Sequence, residues 1–330
     1  MGEEFDNIFD YNKTFLNQLD SCIILFVLFI FFVFLICHHE ALKNIQPNDC
    51  ISRTSLRFSN LFDTLMNSNI PNSTVLLFFY LSILLFVNRK GMSILIIWDF
   101  DWTLVNENTD TFVIKQLGGD LEYIHMKSKM KEMLWTELMN YQCQRLTSGE
   151  NAKTKQEIDA CIASIPVFQE NLTAIRLAAA NSNVVQCIVS DANTEFISAF
   201  LDNKEIQHCF HEIHTNNASY NDLGVLSVSP YHQHECTQCT RSPNMCKGLI
   251  VDDIISRNGT DGKFEKIIYL GDGRGDFCGC TRLRENDVIL ARSDYKLEKM
   301  VTSNDSGIAA NIVCWSNGED ILTTITDAIS

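Results

Sequence analysis

The sequence predicts an α/β fold: a doubly wound parallel sheet of Rossmann type, with a helical cap inserted after the first strand. Short apolar runs that suit buried parallel strands recur along the chain and alternate with helical patterns. Polar residues stand at the ends of these runs, which is where open α/β sheets bind ligands. A long helical stretch separates the first two runs, so we expect the cap there.

Four apolar runs are the predicted strands. They are ILIIW (94–98), VVQCIVS (184–190), KIIYLGD (266–272) and DVILAR (287–292). Residues 111–180 contain a single proline, Pro166, and apolar residues at helical spacing. We therefore place the cap at about 108–180. A further helix is expected to begin near Thr194.

The composition limits the classes of function. The chain has 330 residues, 46% hydrophobic and 20% charged, so it can form a packed core. Its formal net charge of -15 argues against a nucleic-acid partner, because a phosphate backbone requires basic surface. A small phosphorylated metabolite needs only a local positive site and remains a candidate. The thirteen cysteines lie in a long chain without a signal-peptide cleavage pattern, which favours a reducing compartment and a cytoplasmic catalytic domain.

Residues 1–91 differ in character from the rest of the chain. They hold two apolar segments, 21–39 and 75–88, and the first contains an uncharged run near the ~17-residue lower limit for a membrane-spanning helix. One interpretation is a membrane anchor through 21–39, with the downstream side in the cytosol. The other is a wrongly assigned gene start, because Met92 stands immediately before the first predicted strand. Either way, we expect the catalytic domain at 92–330.

Two carboxylates end the first predicted strand. Asp99 and Asp101 are two positions apart, so both can point into one pocket. One carboxylate can attack phosphorus while the other moves protons. Such acids repel each other unless a cation lies between them, and Mg²⁺ suits the site because it prefers oxygen ligands. Taken alone, an Asp-x-Asp pair is more typical of a solvated turn.

Three further signals follow at strand ends and helix starts. Ser190 ends the second strand, where a hydroxyl beside main-chain N–H groups can hold a phosphoryl oxygen, although serine there is also a common helix N-cap. Lys247 opens an apolar helix and can neutralise a carboxylate or phosphate; alone, it would be an ordinary surface lysine. Asp272 and Asp276 lie in a glycine-rich turn that suits either a metal site or a surface hairpin.

The order of these signals resembles the four motifs of the haloacid dehalogenase superfamily of phosphatases. Longer segments resemble one family within it, the phosphoethanolamine/phosphocholine phosphatases, which also includes enzymes acting on pyridoxal phosphate and, in plants, thiamine monophosphate. The segments are WDFDWTLVNENTDT, VSDANTEFI, PYHQHECTQC, NMCKG and YLGDGRGDFC. The resemblance runs from about Ser93 through IVCWSNGEDIL. Trp102 stands where the family varies in residue type, so we expect it not to affect the chemistry.

The resemblance implies a role for each motif residue. Asp99 would form an aspartyl-phosphate, while Asp101 would protonate the leaving alcohol and then activate water. Ser190 and Lys247 would bind the phosphoryl group. The implied Mg²⁺ site consists of Asp99, Asp101 through its main-chain carbonyl, Asp272 and, in support, Asp276. These residues would supply the positioning and charge neutralisation on which phosphoryl transfer depends.

Two more acids are candidates for substrate recognition. Asp110 lies eleven positions after Asp99, and Asp191 directly follows Ser190. In choline-type family members, acids at matching positions are thought to hold the amine or quaternary ammonium of the substrate. The resemblance thus implies phosphocholine or phosphoethanolamine, with pyridoxal phosphate or thiamine monophosphate as the alternative. Asp110 is equally placed to be the N-cap of the first cap helix.

A segment near residues 231–246 has zinc-ligand residue types and a C-x-x-C spacing. Its candidate ligands are His234, Cys236, Cys239 and Cys246. A Zn²⁺ ion there would stiffen the loop that presents Lys247. The alternative is a loop packed with reduced cysteines.

Taken together, the sequence favours a Mg²⁺-dependent phosphomonoesterase acting on a small phosphorylated metabolite. Two non-enzyme interpretations compete with it: a zinc-stabilised binding module, and a membrane-tethered binding protein with an inactive phosphatase fold. The complete set of motif residues argues against the inactive fold.

Overall fold

The computed structural model describes residues 94–239, 244–257 and 264–330, which contain a seven-stranded sheet. Its strands are β1 (Ile94–Trp98), β2 (Val184–Asn193), β3 (Glu212–Tyr220), β4 (Leu226–Ser229), β5 (Lys266–Gly271), β6 (Val288–Arg292) and β7 (Asn311–Trp315). They lie in the order β4-β3-β2-β1-β5-β6-β7. Every neighbouring pair is parallel except β3 and β4, which are antiparallel. The central strand β1 therefore has β2 on one side and β5 on the other.

Nine α-helices occur among the described residues. They are α1 (Thr109–Lys129), α2 (Trp135–Leu146), α3 (Lys155–Ala163), α4 (Gln169–Ala180), α5 (Thr194–Asn203), α6 (Lys247–Arg257), α7 (Arg274–Cys280), α8 (Lys296–Val301) and α9 (Gly318–Ile329). Asn108, Asn193 and Asn317 each accept a backbone N–H in the first turn of α1, α5 and α9. These caps satisfy donors that a helix start leaves without partners inside the helix.

Both faces of the sheet are buried, and β1 shows why its sequence is continuously apolar. Ile96 and Trp98 belong to one hydrophobic layer, whereas Leu95 and Ile97 belong to the other. All four side chains are fully buried. Successive side chains of a strand alternate between the faces of a sheet, so a strand covered on both sides must be apolar at every position.

The predicted fold class is confirmed, and all four predicted strands are present as β1, β2, β5 and β6. The second strand continues to Asn193, beyond its predicted end at Ser190. The helix expected near Thr194 is α5. Three strands, β3, β4 and β7, were not predicted.

The segment between β1 and β2 is helical, as predicted, but its last helix packs on the sheet. Asn171 Nδ2 in α4 donates hydrogen bonds to the carbonyls of Thr103 and Leu104, just after β1. Gln186 Nε2 in β2 donates to the carbonyl of Ile175 in α4. The predicted cap of 108–180 was therefore too long, because α4 covers the sheet rather than extending the cap.

Within the described part of the chain, no helix is both long enough and apolar enough to cross a membrane. The candidate membrane segments at 21–39 and 75–88, and the predicted boundary between residues 91 and 92, lie outside the described residues. They remain predictions.

Candidate active site

The sheet brings the motif residues to one edge. Asp99 follows β1, Ser190 lies on β2, and Asp272 follows β5. Because these three strands are adjacent and parallel, their carboxyl ends meet at the same edge. The Asp99 N–H also donates to the carbonyl of Leu270 at 3.0 Å, which ties the nucleophile candidate to β5.

Lys247 lies between two carboxylates at the centre of this edge. Its Nζ is 2.7 Å from Asp99 Oδ1 and 2.7 Å from Asp276 Oδ1. The lysine is only 2% exposed, although it is the first residue of α6. The sequence left open an ordinary surface lysine here, and the burial excludes it. Because one ammonium serves two acids, their charges raise the pKa of Lys247 despite its burial.

Asp276 is fixed by a second set of hydrogen bonds. Its Oδ2 accepts the backbone N–H groups of Gly273 at 2.9 Å and Asp272 at 3.2 Å. Its Oδ1 accepts the Tyr269 hydroxyl at 3.0 Å. A Cβ at Gly271 would lie 2.6 Å from the Asp276 carboxyl carbon, so only glycine permits this approach. The segment is a tight strand-to-helix turn and not the surface hairpin considered above.

Asp272 completes a compact acidic group. Carboxylate oxygens of Asp99, Asp272 and Asp276 lie within 4.8 Å of one another. Burial, then the charges of Asp276 and other acids, raise the pKa of Asp99 to about 7 even though Lys247 lowers it. Burial and the charges of Asp99 and Asp276 raise the pKa of Asp272 to about 9. The group carries more acid than one lysine can neutralise, which is the electrostatic condition for binding a cation.

Asp101 is held by the entrance to the cap. Its Oδ1 accepts the backbone N–H of Thr109 at 3.0 Å and the Thr109 hydroxyl at 2.8 Å, and its Oδ2 accepts Asn108 Nδ2 at 2.7 Å. Burial and the charge of Asp110 raise its pKa well above the usual range, although the Thr109 bonds oppose this. Neither Asn108 nor Thr109 was predicted as a site residue. Their place, just before the predicted cap helix, was the available signal.

Trp102 makes the turn that separates Asp99 from the cap. Its backbone is left-handed, with φ of 58°, and its N–H donates to the carbonyl of Glu107. Arg292 Nη1 donates to the Trp102 carbonyl, and the guanidinium also lies over the Trp102 and Tyr295 rings, 5.7 and 4.6 Å from their centroids. Trp102 therefore has a structural role in holding the chain reversal.

Ser190 is fully buried in β2, beside β1, the strand that Asp99 follows. Its Oγ accepts the backbone N–H of Ala192 at 3.2 Å. The N-cap of the following helix is Asn193, whose side chain accepts the N–H of Phe196. The interpretation of Ser190 as that helix's N-cap is therefore wrong.

Asp110 and Asp191 line one narrow cavity beside this edge. Trp135 also lines this cavity, and its Nε1 donates a hydrogen bond to Asp110 Oδ2 at 3.0 Å. Burial and the charge of Asp191 raise the pKa of Asp110 to about 7, although the Trp135 bond lowers it. The N-cap of α1 is Asn108, so the capping interpretation of Asp110 is wrong.

The predicted zinc ligands fall into two overlapping groups around Cys246. A ring nitrogen of His234 and the sulfurs of Cys239 and Cys246 lie within 4.8 Å of one another. The sulfurs of Cys236, Cys246 and Cys278 form the second group. Cys278, in α7, was not predicted, because nothing in its spacing links it to the other cysteines.

The comparison with known proteins identifies the family. Residues 94–329 match the protein family described as Putative Phosphatase. The chain belongs to this family. Inorganic pyrophosphatase 2 of Arabidopsis thaliana is 35% identical over 73% of this chain and 85% of its own length. The thiamine phosphate phosphatase-like protein of the same plant is 34% identical, over 69% and 91%. Pyridoxal phosphate phosphatase PHOSPHO2 of Homo sapiens is 29% identical, over 70% and 97%.

A solved structure shows the same fold. A haloacid dehalogenase (HAD) family hydrolase from Salmonella enterica superposes with a TM-score of 0.51 at 14% identity, over 78% of this chain and 82% of that one. The predicted resemblance to the HAD phosphatases, and to the family that includes pyridoxal phosphate and thiamine phosphate phosphatases, is confirmed. The protein is therefore a phosphatase with a HAD-like fold, and the non-enzyme interpretations are wrong.

Proposed function

We propose that this phosphatase is a Mg²⁺-dependent phosphomonoesterase that works through an aspartyl-phosphate on Asp99. The observation that supports this most is the position of Lys247, with its Nζ 2.7 Å from oxygens of both Asp99 and Asp276. A buried ammonium beside a carboxylate at the end of the central strand suits the capture of a phosphoryl group next to its nucleophile.

In the first half-reaction, Asp99 attacks phosphorus and the ester P–O bond breaks. Lys247 and the Ser190 hydroxyl bind the phosphoryl oxygens, while Asp101 donates a proton to the departing oxygen, which leaves as an alcohol. The raised pKa of Asp101 favours the protonated form that this step requires. The hydrogen bonds from Thr109 and Asn108 fix the direction in which Asp101 presents its carboxyl group.

In the second half-reaction, Asp101 is a carboxylate and takes a proton from water. The water oxygen attacks phosphorus, the bond between phosphorus and Asp99 breaks, and inorganic phosphate leaves. Asp101 is protonated again, so the enzyme returns to its starting state.

The acidic group fits Mg²⁺ because its donors are carboxylate oxygens within 4.8 Å of one another. Asp99 and Asp272 would bind the ion, together with the main-chain carbonyl of Asp101. Asp276 already accepts bonds from Lys247 and the backbone, so it would hold the group in place. When bound, the ion neutralises negative charge on the phosphoryl group and its carboxylate neighbours.

The acids of the cavity favour a substrate with a positive charge near phosphorus. Asp110 and Asp191 both line this cavity, and we propose that it receives the organic part of the substrate. Carboxylates there repel a phosphate dianion, so they weaken the binding of a neutral-tailed ester. They strengthen binding when the tail is an ammonium, by roughly 1–3 kcal/mol for a hydrogen-bonded charge pair. We therefore propose phosphoethanolamine or phosphocholine as the substrate class.

The relatives supply the competing candidates. Their names include pyridoxal phosphate, thiamine phosphate and inorganic pyrophosphate. Pyrophosphate would place a second phosphate near Asp110 and Asp191 in the absence of further cations. Repulsion between this phosphate and the two carboxylates disfavours pyrophosphate as the substrate. Thiamine phosphate carries a cationic ring, but it is much larger than an ethanolamine headgroup, and the cavity is narrow.

The test compares phosphoethanolamine with a neutral alkyl phosphate of equal size on wild-type and Asp110→Asn enzymes. We expect the wild type to prefer the charged ester, and Asp110→Asn to reduce that preference about ten-fold, which corresponds to ~1.4 kcal/mol. Asp120→Asn, on the exposed face of the same helix, is the matched control and should leave the preference unchanged. Equal losses on both esters, or the highest kcat/KM on pyrophosphate, would refute amine recognition.

A further inference from the structure

Three sulfur atoms meet next to the lysine of the proposed phosphate site. Cys278 Sγ is 3.7 Å from Cys236 Sγ and 3.5 Å from Cys246 Sγ. A tetrahedral zinc ion with Zn–S bonds of about 2.3 Å sets its sulfur ligands about 3.8 Å apart. A disulfide would use Cys278 for one partner only and leave the other sulfur unexplained. All ten described cysteines are free thiols.

Backbone donors already point at two of these sulfurs. Cys236 Sγ accepts the N–H groups of Gln238 and Cys239, and Cys246 Sγ accepts the N–H of Leu249. Hydrogen bonds from N–H groups two or three residues ahead stabilise a thiolate more than a thiol, because the acceptor carries the charge. A metal ion requires the thiolate form.

His234 provides an independent sign of a missing partner. The residue is 9% exposed, and its Nε2 is buried with no hydrogen-bond partner among the described residues. Its Nδ1 accepts the N–H of Cys236 at 3.2 Å, so Nε2 carries the proton in the neutral ring. A protonated nitrogen cannot bind a metal, but it can donate to a metal-bound thiolate. A ring nitrogen of His234 lies within 4.8 Å of the Cys239 and Cys246 sulfurs, so a small closure of the loop around a metal ion would form this bond.

We propose that Cys236, Cys239, Cys246 and Cys278 bind one structural zinc ion, with His234 donating Nε2–H to a bound thiolate. Cys239 is the fourth ligand because it completes the C-x-x-C pair with Cys236 and its sulfur lies within 4.8 Å of Cys246 Sγ. His234, which the sequence predicted as a zinc ligand, would instead donate a hydrogen bond to a ligand, and such bonds tune metal-bound groups.

The site joins two elements of the catalytic edge. Cys246 immediately precedes Lys247, and Cys278 lies one helical half-turn after Asp276. Helices α6 and α7 already touch here, since a Cβ at Gly248 would lie 2.7 Å from Cys278 Sγ. The zinc ion therefore fixes the distance between the segments that carry Lys247 and Asp276, without taking part in hydrolysis.

The experiment measures metal content in the full chain, purified under reducing conditions without a metal-binding tag. We expect about one zinc per chain in the wild type and less than about 0.2 in Cys278→Ser. Cys314→Ser, an exposed cysteine away from the cluster, is the control and should keep the full content. Replacement of the metal in the wild type by Co²⁺ should give the strong sulfur-to-cobalt absorption of a four-thiolate site. This measurement uses only the wild-type protein, so it does not depend on whether a variant folds.

The measurement of zinc content does not require enzyme activity, so its result is independent of the proposed reaction. Absence of zinc from the wild type, full zinc in Cys278→Ser, or a cobalt spectrum without thiolate bands would overturn the proposal. A mass spectrum showing a disulfide between Cys278 and Cys236 or Cys246 in the purified protein would overturn it as well.

Discussion

Asp101 is the residue whose proposed function depends most on its neighbours. A general acid must present its proton along a defined direction, and three hydrogen bonds from Thr109 and Asn108 give Asp101 that direction. Both partners lie where the chain enters the cap. The cap and the chemistry are therefore linked through a pair of small polar side chains.

Removing one of these bonds should affect proton transfer selectively. Thr109→Val keeps the shape of the side chain and the backbone N–H bond but deletes the hydroxyl, which is worth about 1.5–3 kcal/mol when its partner is charged. We expect kcat on an alkyl phosphate to fall roughly ten-fold or more, and kcat on an activated aryl phosphate to change little, because a good leaving group needs no proton.

Thr173→Val, whose hydroxyl bonds to a carbonyl on an exposed part of α4, is the control and should behave like the wild type. An equal loss of rate on alkyl and aryl esters in Thr109→Val would show that Thr109 only supports the fold.

At this scale, the sequence indicated the motif residues as candidates but not the residues that hold them in place. Asp99, Asp101, Lys247 and Asp272 stand at the ends or starts of predicted elements, where open α/β sheets bind ligands. Asn108 was hidden because capping explains an asparagine at a helix start, and it does cap α1 while its Nδ2 holds Asp101. Its second role depends on a carboxylate that only the folded turn brings near.

Helices α6 and α7 pack closely against each other at Gly248. An added Cβ there would lie 2.7 Å from Cys278 Sγ and 2.8 Å from the Cys278 carbonyl oxygen. The backbone carbonyl cannot move aside without shifting α7. Glycine at this position thus sets the spacing between Lys247, the preceding residue, and the acids of the following strand-to-helix turn.

Gly248→Ala tests this spacing. Helix propensity alone would stabilise the variant by about 1 kcal/mol, whereas overpacking opposes it by about 1–3 kcal/mol. We expect a net loss of stability in thermal unfolding and a reduced kcat, because α6 moves away with Lys247. Leu249→Ala, at a neighbouring exposed position, is the control for changes in α6 that create no clash. A Gly248→Ala enzyme as stable and active as the wild type would contradict close packing here.

Element by element, the sequence predicted the strands that are buried on both sides. β1 and β5 are continuous apolar runs because both their faces are covered. β3 and β7 lie farther from the centre and keep partly exposed positions. Polar residues break the apolar pattern of β3, and β7 has an apolar run of only four residues. β4 has only four residues. The limit of the cap was misplaced because a helix on the sheet and a helix in a cap have similar periodicity.

At the scale of the whole molecule, the buried acids of the active site make the stability of the fold depend on pH. The pKa of Asp99 and of Asp110 is raised to about 7 and that of Asp272 to about 9, mainly by burial. A free aspartate titrates near ~4. Between the pKa of the free aspartate and the raised pKa values of the folded state, the folded protein binds more protons than the unfolded chain. Its stability therefore falls as the pH rises through this range.

Magnesium should reverse this trend. In the presence of a chelator, we expect the Tm to fall as the pH is raised from 5 to 8.5. The free energy of unfolding should decrease by up to about 1.4 kcal/mol per pH unit for each extra proton that the folded protein binds. Added Mg²⁺ should raise the Tm, and more at the higher pH, because the ion competes with protons for the same oxygens. Asp272→Asn should lose most of the Mg²⁺ effect. A Mg²⁺-induced shift that is independent of pH, or unchanged in Asp272→Asn, would contradict this site.

The proposed mechanism requires that Asp99 carries the phosphoryl group during turnover. The direct measurement is acid quenching of the enzyme during hydrolysis, followed by mass spectrometry of the peptide that contains residues 94–105. In the wild type, and more strongly in Asp101→Asn, where hydrolysis of the intermediate should be slow, we predict one phosphoryl group on Asp99. Asp99→Asn should show neither the phosphopeptide nor Mg²⁺-dependent turnover. A phosphate-free peptide throughout rapid turnover, or an active Asp99→Asn enzyme, would contradict a covalent intermediate on Asp99.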